Sequence, residues 1–159
     1  MMEKNMTIGR SQIRLDVKAK VTGEALYSGD LNLPDQAYAK ILFPKYAHAI
    51  IRAIDVSEAL KTKGVLTILT AADVPVNEYG LQVPDQPVLC GPGSKKAYAD
   101  RVRFIGDQLA LVIADSEEIA ADAVKKIHVE YEELPVITDP REAMKPEAML
   151  LHPDTDSNV

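Results

Sequence analysis

The lone thiol of the chain, Cys90, lies in Leu89-Cys90-Gly91-Pro92-Gly93-Ser94, where a cysteine could serve as a nucleophile if a histidine came near. Nothing in that loop would lower its pKa, so the plain role of a loop cysteine is expected, and a Cys90-dependent hydrolase is the weakest of the functional readings. Gly91-Pro92-Gly93-Ser94 has the outward look of a phosphate loop. It lacks the downstream Gly-Lys-Ser/Thr, follows no clear strand and opens no clear helix, so it reads as a turn. His48, His128 and His152 stand far apart, without the short spacings of a zinc site, and one cysteine cannot make a disulfide, a CxxC pair or an iron-sulfur ligand set.

Glu130, Glu132 and Glu133 could supply a general acid and base, since paired carboxylates with divergent pKa values do such work. On a strand their alternation instead turns at least two of them to one exposed face, which is the mark of a solvated edge. No catalytic, cofactor-binding or metal-ligating residue is assigned. Two residues leave the choice open. His48, polar among the small residues Ala47 and Ala49, suits either a structural hydrogen bond or an interface. Arg103, beside Phe104 and before Gly106, could bind an anion or a partner carboxylate through its fork of donors, or be a strand-edge arginine with a solvated head. His48, Arg103, Phe104 and Gly106 are the candidate interdomain interface.

The elements that must hold these residues are marked by period and punctuation. Strands are expected at 37–43, 49–54, 65–70, 109–114 and 129–131, the last with its carboxylates toward water. A hairpin is expected to join 102–105 to 109–114 through Gly106-Asp107. Asp55, with Glu58 three residues on, predicts a capped helix that stops at Gly64, and Thr70 to Asp73 a short helical turn before Pro75. Asp115 with Glu118 predicts a second helix, whose face Ile119, Ala120, Ala123, Val124 and Ile127 is apolar and small enough to lie close on a sheet. Asp139-Pro140-Arg141-Glu142 predicts a third, short one. Four prolines and three glycines between 75 and 93 argue against regular structure across 76–96, read here as one long surface excursion of the kind that contacts another domain. In the stretch 12–27 only a reversal at Thr22-Gly23 is legible. Two strand-helix-strand stretches, 50–70 and 109–131, do not align in their apolar positions and make no repeat.

Size and composition bound the function. A chain of 159 residues, 47% apolar and 26% charged, is an ordinary globular domain able to bury about 70% of its unfolded surface. A net charge of -6 with no basic stripe argues against nucleic acid as a partner. No apolar run approaches the ~20 residues of a membrane span, and Met1-Met2-Glu3-Lys4-Asn5-Met6 has no signal-peptide core, so no membrane association and a cytoplasmic location are expected.

Arg14-Leu15-Asp16, Lys20-Val21-Thr22-Gly23-Glu24-Ala25, Tyr27 and Asp30 open a pattern that continues through Ala47-His48-Ala49 and Leu69-Thr70-Ala71-Ala72-Asp73. It then runs through Val102-Arg103-Phe104-Ile105-Gly106 and Val129-Glu130-Tyr131-Glu132-Glu133-Leu134-Pro135. In that order these motifs resemble the start of the molybdenum-binding subunit of the molybdenum hydroxylases, the xanthine dehydrogenase and aldehyde oxidase family. Two departures stand out: Pro44-Lys45 where the family usually has Ser-Pro, and Asp107-Gln108 after Gly106 where Gln or Glu then Pro is common.

The resemblance implies an α+β fold, the α/β hammerhead, with mixed strands and two to three short helices in a single domain. It places a flexible tail at 1–7, the domain at 8–152, and a polar linker at 153–159 leading to a molybdopterin-binding domain not included in these residues. It implies a parent enzyme that hydroxylates a purine, another N-heterocycle or an aldehyde with oxygen from water, using a molybdopterin cofactor, iron-sulfur clusters and often FAD. The partners implied are the molybdopterin-binding domain of the same chain and the iron-sulfur and FAD domains or subunits. No position here matches the family's catalytic glutamate or its glycine-rich cofactor segments, so this segment is expected to bind no cofactor and to be inert alone. The alternative is a stand-alone partner-binding module without activity.

Overall fold

A computed structural model describes Gly9 and residues 11–159, so the tail expected over 1–7 lies outside the described residues. The chain divides into two compact units, 1–36 and 37–159. In the first, Val17–Thr22 forms helix α1, where the sequence signalled only the reversal. That reversal is its C-terminal stop, with Gly23 in the left-handed conformation at φ 77°. Asp16 draws the helix start together, accepting from Arg14 Nε at 2.7 Å and lying 2.7 Å from Lys20 Nζ, so its carboxyl is held below the usual range by Arg14 first and Lys20 second. A 3-10 turn at Ser28–Asp30 follows, closed by the Asp30 carboxylate accepting from the Tyr27 N–H at 2.9 Å.

The second unit carries strands β1 (Tyr38–Leu42), β2 (Ala49–Asp55), β3 (Val65–Thr70), β4 (Arg101–Val102), β5 (Ala110–Ala114) and β6 (His128–Glu133). Its helices are α2 (Ser57–Leu60), α3 (Glu117–Val124) and α4 (Pro140–Ala143). The strands form two antiparallel sheets, one in the order β1-β5-β3 and the other β4-β2-β6. Each strand-helix-strand stretch passes from one sheet to the other: β2 leads through α2 to β3, and β5 through α3 to β6.

Two apolar clusters follow from this division. Helix α3 sets Ala120 and Ala123, both fully buried, against Ala110, Val112 and Ala114 of β5 and Ile68 of β3, as its expected apolar face requires. The other cluster gathers Ala49, Ile51, Val102, Leu109 and Cys90, and the partly buried Leu42 packs against both. Gly64 fits between β3 and α3 for two reasons. Its φ of 90° favours glycine, and a Cβ there would approach Ile119 Cδ1 to 2.8 Å.

Four local expectations are corrected. The segments 102–105 and 109–114 do not form a hairpin: β4 pairs with β2 and β5 with β1 and β3. Asp107 redirects the chain, its carboxylate accepting from the N–H groups of Arg103 at 2.6 Å and Phe104 at 3.3 Å, while the Gln108 carbonyl accepts from Cys90 N–H. Helix α3 is capped one residue later than expected, by Ser116, whose hydroxyl accepts from Ile119 N–H at 3.2 Å. The N–H of Asp115 instead donates to Gly64.

Asp55 ends β2 and closes a turn by accepting from Ser57 N–H at 2.9 Å; α2 is one turn long, and Glu58 pairs with Lys61 rather than completing a capping box. Finally, the excursion 76–96 is not all surface. Asn77, Leu89 and Cys90 are buried in it, and Tyr79 and Gln86 bridge its base, leaving Leu81 at its exposed tip. The expected turn at Thr70–Asp73 and the Asp139 cap of α4 stand as read.

Candidate functional site

Of the chemistry-bearing residues, Cys90 is removed first. Its sulfur is packed among Ala49, Ile51, Val102 and Leu109, with the S–H directed at the Arg101 carbonyl 3.8 Å away. Burial, and next the nearby Asp107 carboxylate, push the thiol up to about 12. It is a core residue without thiolate character near neutrality. Native Cys90 is expected to react with a thiol reagent at pH 8 only as fast as the chain opens, and denatured Cys90 within the mixing time; equal rates would show an accessible thiol. Because the folded pKa lies above the ordinary 9.0, the unfolded chain loses this proton first, so stability present below about 9 should decline as pH rises toward about 12.

Ser94 in the Gly-Pro-Gly-Ser turn spends its hydroxyl on Lys96 N–H at 3.1 Å and the Asn77 amide at 3.0 Å, which settles the turn reading. Glu130, Glu132 and Glu133 are exposed on the edge strand β6, and Glu132 is ion-paired with Arg52.

What remains is a groove of about 810 Å³. His48, just before β2, and Pro135, just after β6, form its floor and are tied twice: Leu134 N–H donates to the His48 carbonyl at 3.0 Å, and His48 Nδ1 lies 2.7 Å from the Pro135 carbonyl. A carbonyl can only accept, so Nδ1 carries a proton and donates to it. Nε2 is buried and has no hydrogen-bond partner. Val136 and Ile137 extend the same wall, and Phe104 and Ile105 rise from the Asp107 turn opposite.

The last wall is the chain after α4. Arg101 Nη1 donates to the Leu150 carbonyl at 3.4 Å and Arg103 Nε to that of Leu151 at 3.3 Å. The Asn158 amide donates to the carbonyls of Ala143 and Met149, and its oxygen accepts from Leu151 N–H at 2.9 Å.

Three of the four expected interface residues, His48, Arg103 and Phe104, therefore line one groove. Gly106 does not; it lines a smaller hollow of about 200 Å³ with Phe104 and Tyr79. Its role is spatial, since a Cβ there would fall 2.1 Å from Cε2 of the Phe104 ring. Sequence reasoning missed Val136, Ile137, Met149 and Leu151. An apolar pair directly after Glu-Leu-Pro was the available signal for the first two; nothing local marked the others. Among the described residues, no three His, Cys, Asp or Glu side chains gather where a metal could be held, and no helix is long and apolar enough to cross a membrane.

A family model described as "Aldehyde oxidase and xanthine dehydrogenase, a/b hammerhead domain" matches residues 22–135. The chain belongs to this family. The hammerhead chain is 44% identical over 145 residues to a probable xanthine dehydrogenase component of Bacillus subtilis (strain 168), an alignment that covers 91% of this chain and 18% of that protein. Its fold matches the Cu,Mo-CO dehydrogenase with a TM-score of 0.79 at 33% identity, over 92% of this chain and 18% of that one. The aldehyde oxidoreductase of Desulfovibrio desulfuricans matches with a TM-score of 0.76 at 34% identity, over 90% and 16%. The hammerhead chain thus spans less than a fifth of the length of these relatives.

Proposed function

We propose that this chain is the hammerhead module of a molybdenum hydroxylase, a xanthine dehydrogenase-like oxidoreductase that hydroxylates a purine, another N-heterocycle or an aldehyde with oxygen from water. The module covers 8–152, and 153–159 leads along the groove toward a molybdopterin-binding domain of the same parent chain, in a cytoplasmic enzyme with iron-sulfur and FAD domains or subunits. Its own work is packing. The observation that carries this reading is the apolar groove lined by His48, Arg103 and Phe104, whose other wall, 149–159, lies beyond the family match that ends at residue 135.

The residues present do not fit the parent's cofactors. The one thiol is kept protonated, which denies an iron-sulfur cluster its thiolate. The Arg103 guanidinium, the natural partner for a pterin phosphate, donates to the carbonyls of Leu151 and Tyr98. Oxidoreductase chemistry on bound molybdenum accordingly belongs to other parts of the parent, and the 159 residues alone are inactive. Elemental analysis tests this directly: the parent enzyme should carry molybdenum in near-stoichiometric amount and the isolated 159 residues none. Molybdenum retained by the isolated chain, or a parent gene product without molybdenum, would overturn the reading.

A further inference from the structure

The groove is the strongest feature left unexplained, and we infer that its occupant is the polypeptide that follows residue 159 in the parent chain, laid in as an apolar stretch. The inference rests on the parent-enzyme reading above and names the segment that fills this site. Three observations carry it.

First, the Bacillus subtilis relative is about five times as long as this chain, so in the proposed parent most of the polypeptide lies outside these residues. Second, residues 155–159 are themselves part of the groove wall, which places the next residue at the groove rather than elsewhere on the surface. That wall is fixed: Arg101 and Arg103 hold the carbonyls of Leu150 and Leu151, and Asn158 ties back to Ala143, Met149 and Leu151. The start of the following segment is thereby aimed, and a tethered segment docks at high effective concentration without a large affinity of its own.

Third, the groove's chemistry selects what enters. Phe104, Ile105 and Val136 are each more than half exposed, a cluster of large apolar side chains that a lone surface would not gather.

Photocrosslinking in the intact parent enzyme tests the inference. With p-benzoylphenylalanine in place of Phe104, and in a second enzyme in place of Val136, the dominant crosslinked peptide should come from the same chain just beyond residue 159. Crosslinks confined to 1–159, to a separate subunit, to a remote part of the chain, or to no peptide at both positions would overturn it. Molybdenum content of the same preparations separates the two failures. Molybdenum present with crosslinks elsewhere removes the docking inference alone; molybdenum absent removes the reading beneath it.

Discussion

Leu109→Ala is expected to lower the unfolding free energy by about 3 to 4 kcal/mol, in the middle of the range for fully buried leucines. Leu109 is fully buried at the point where the chain leaves the Asp107 turn and enters β5. Its side chain belongs to the cluster of β2 and β4, while its N–H donates to the Leu42 carbonyl of β1 at 2.9 Å. One residue thus joins the core of one sheet to the backbone of the other. Truncation removes the apolar contacts and leaves a cavity bounded by Ile51, Val102 and Cys90, which strands on both sides keep from collapsing. With a urea slope of about 2 kcal/mol per molar, the denaturation midpoint should fall by about 1.5 to 2 M. Ile51→Val, which loses one methylene in the same cluster, should cost about 1 kcal/mol. A loss below about 1.5 kcal/mol for Leu109→Ala would mean that the two sheets are not coupled through this position.

Asn77→Ala should cost about 3 kcal/mol, although a polar loop residue is replaced. The Asn77 amide is buried and serves both backbone groups of Leu89, accepting from its N–H at 2.9 Å and donating to its carbonyl at 2.8 Å. A third bond reaches Ser94 Oγ. This pairing imitates a strand partner and closes the excursion that ends beside Cys90. Alanine leaves a buried donor and a buried acceptor unmet, each worth about 1 to 3 kcal/mol. Asn77→Asp keeps the acceptor for Leu89 N–H but offers no donor to its carbonyl, so it should recover only part of the loss. Amide exchange at Leu89 should accelerate in step with the fall in the denaturation midpoint. Full protection of that amide in the alanine variant would show that the excursion is held by other contacts.

Much of the local structure was legible. Apart from β4, which stops at Val102 rather than 105, the strands begin and end within two residues of their expected bounds, because alternation and turn residues mark the edges of a segment from within. The small face of α3 and the solvated carboxylates of β6 were read correctly for the same reason. The cap of α3 was displaced by one residue, since Asp115 and Ser116 are both good caps and only the backbone direction set by the Gly64 contact chooses between them. His48, which the sequence left between two roles, makes a structural bond and lines the groove.

The sequence alone therefore determined where most of the strands and helices of 37–159 lie and, through motifs from Arg14 to Pro135, which family the chain belongs to. Only the tertiary structure decided which sheet each strand joins, that 102–114 is a crossing rather than a hairpin, and that Cys90 and Asn77 are buried. It also brought Val136, Met149 and Leu151 around His48 and Phe104. Periodicity is a property of one segment and reports which face it buries, whereas a pairing partner is chosen by contacts between residues far apart in sequence. Those contacts depend on turns such as the one closed by Asp107, whose carboxylate takes the N–H groups of both Arg103 and Phe104, one of which a hairpin would have needed.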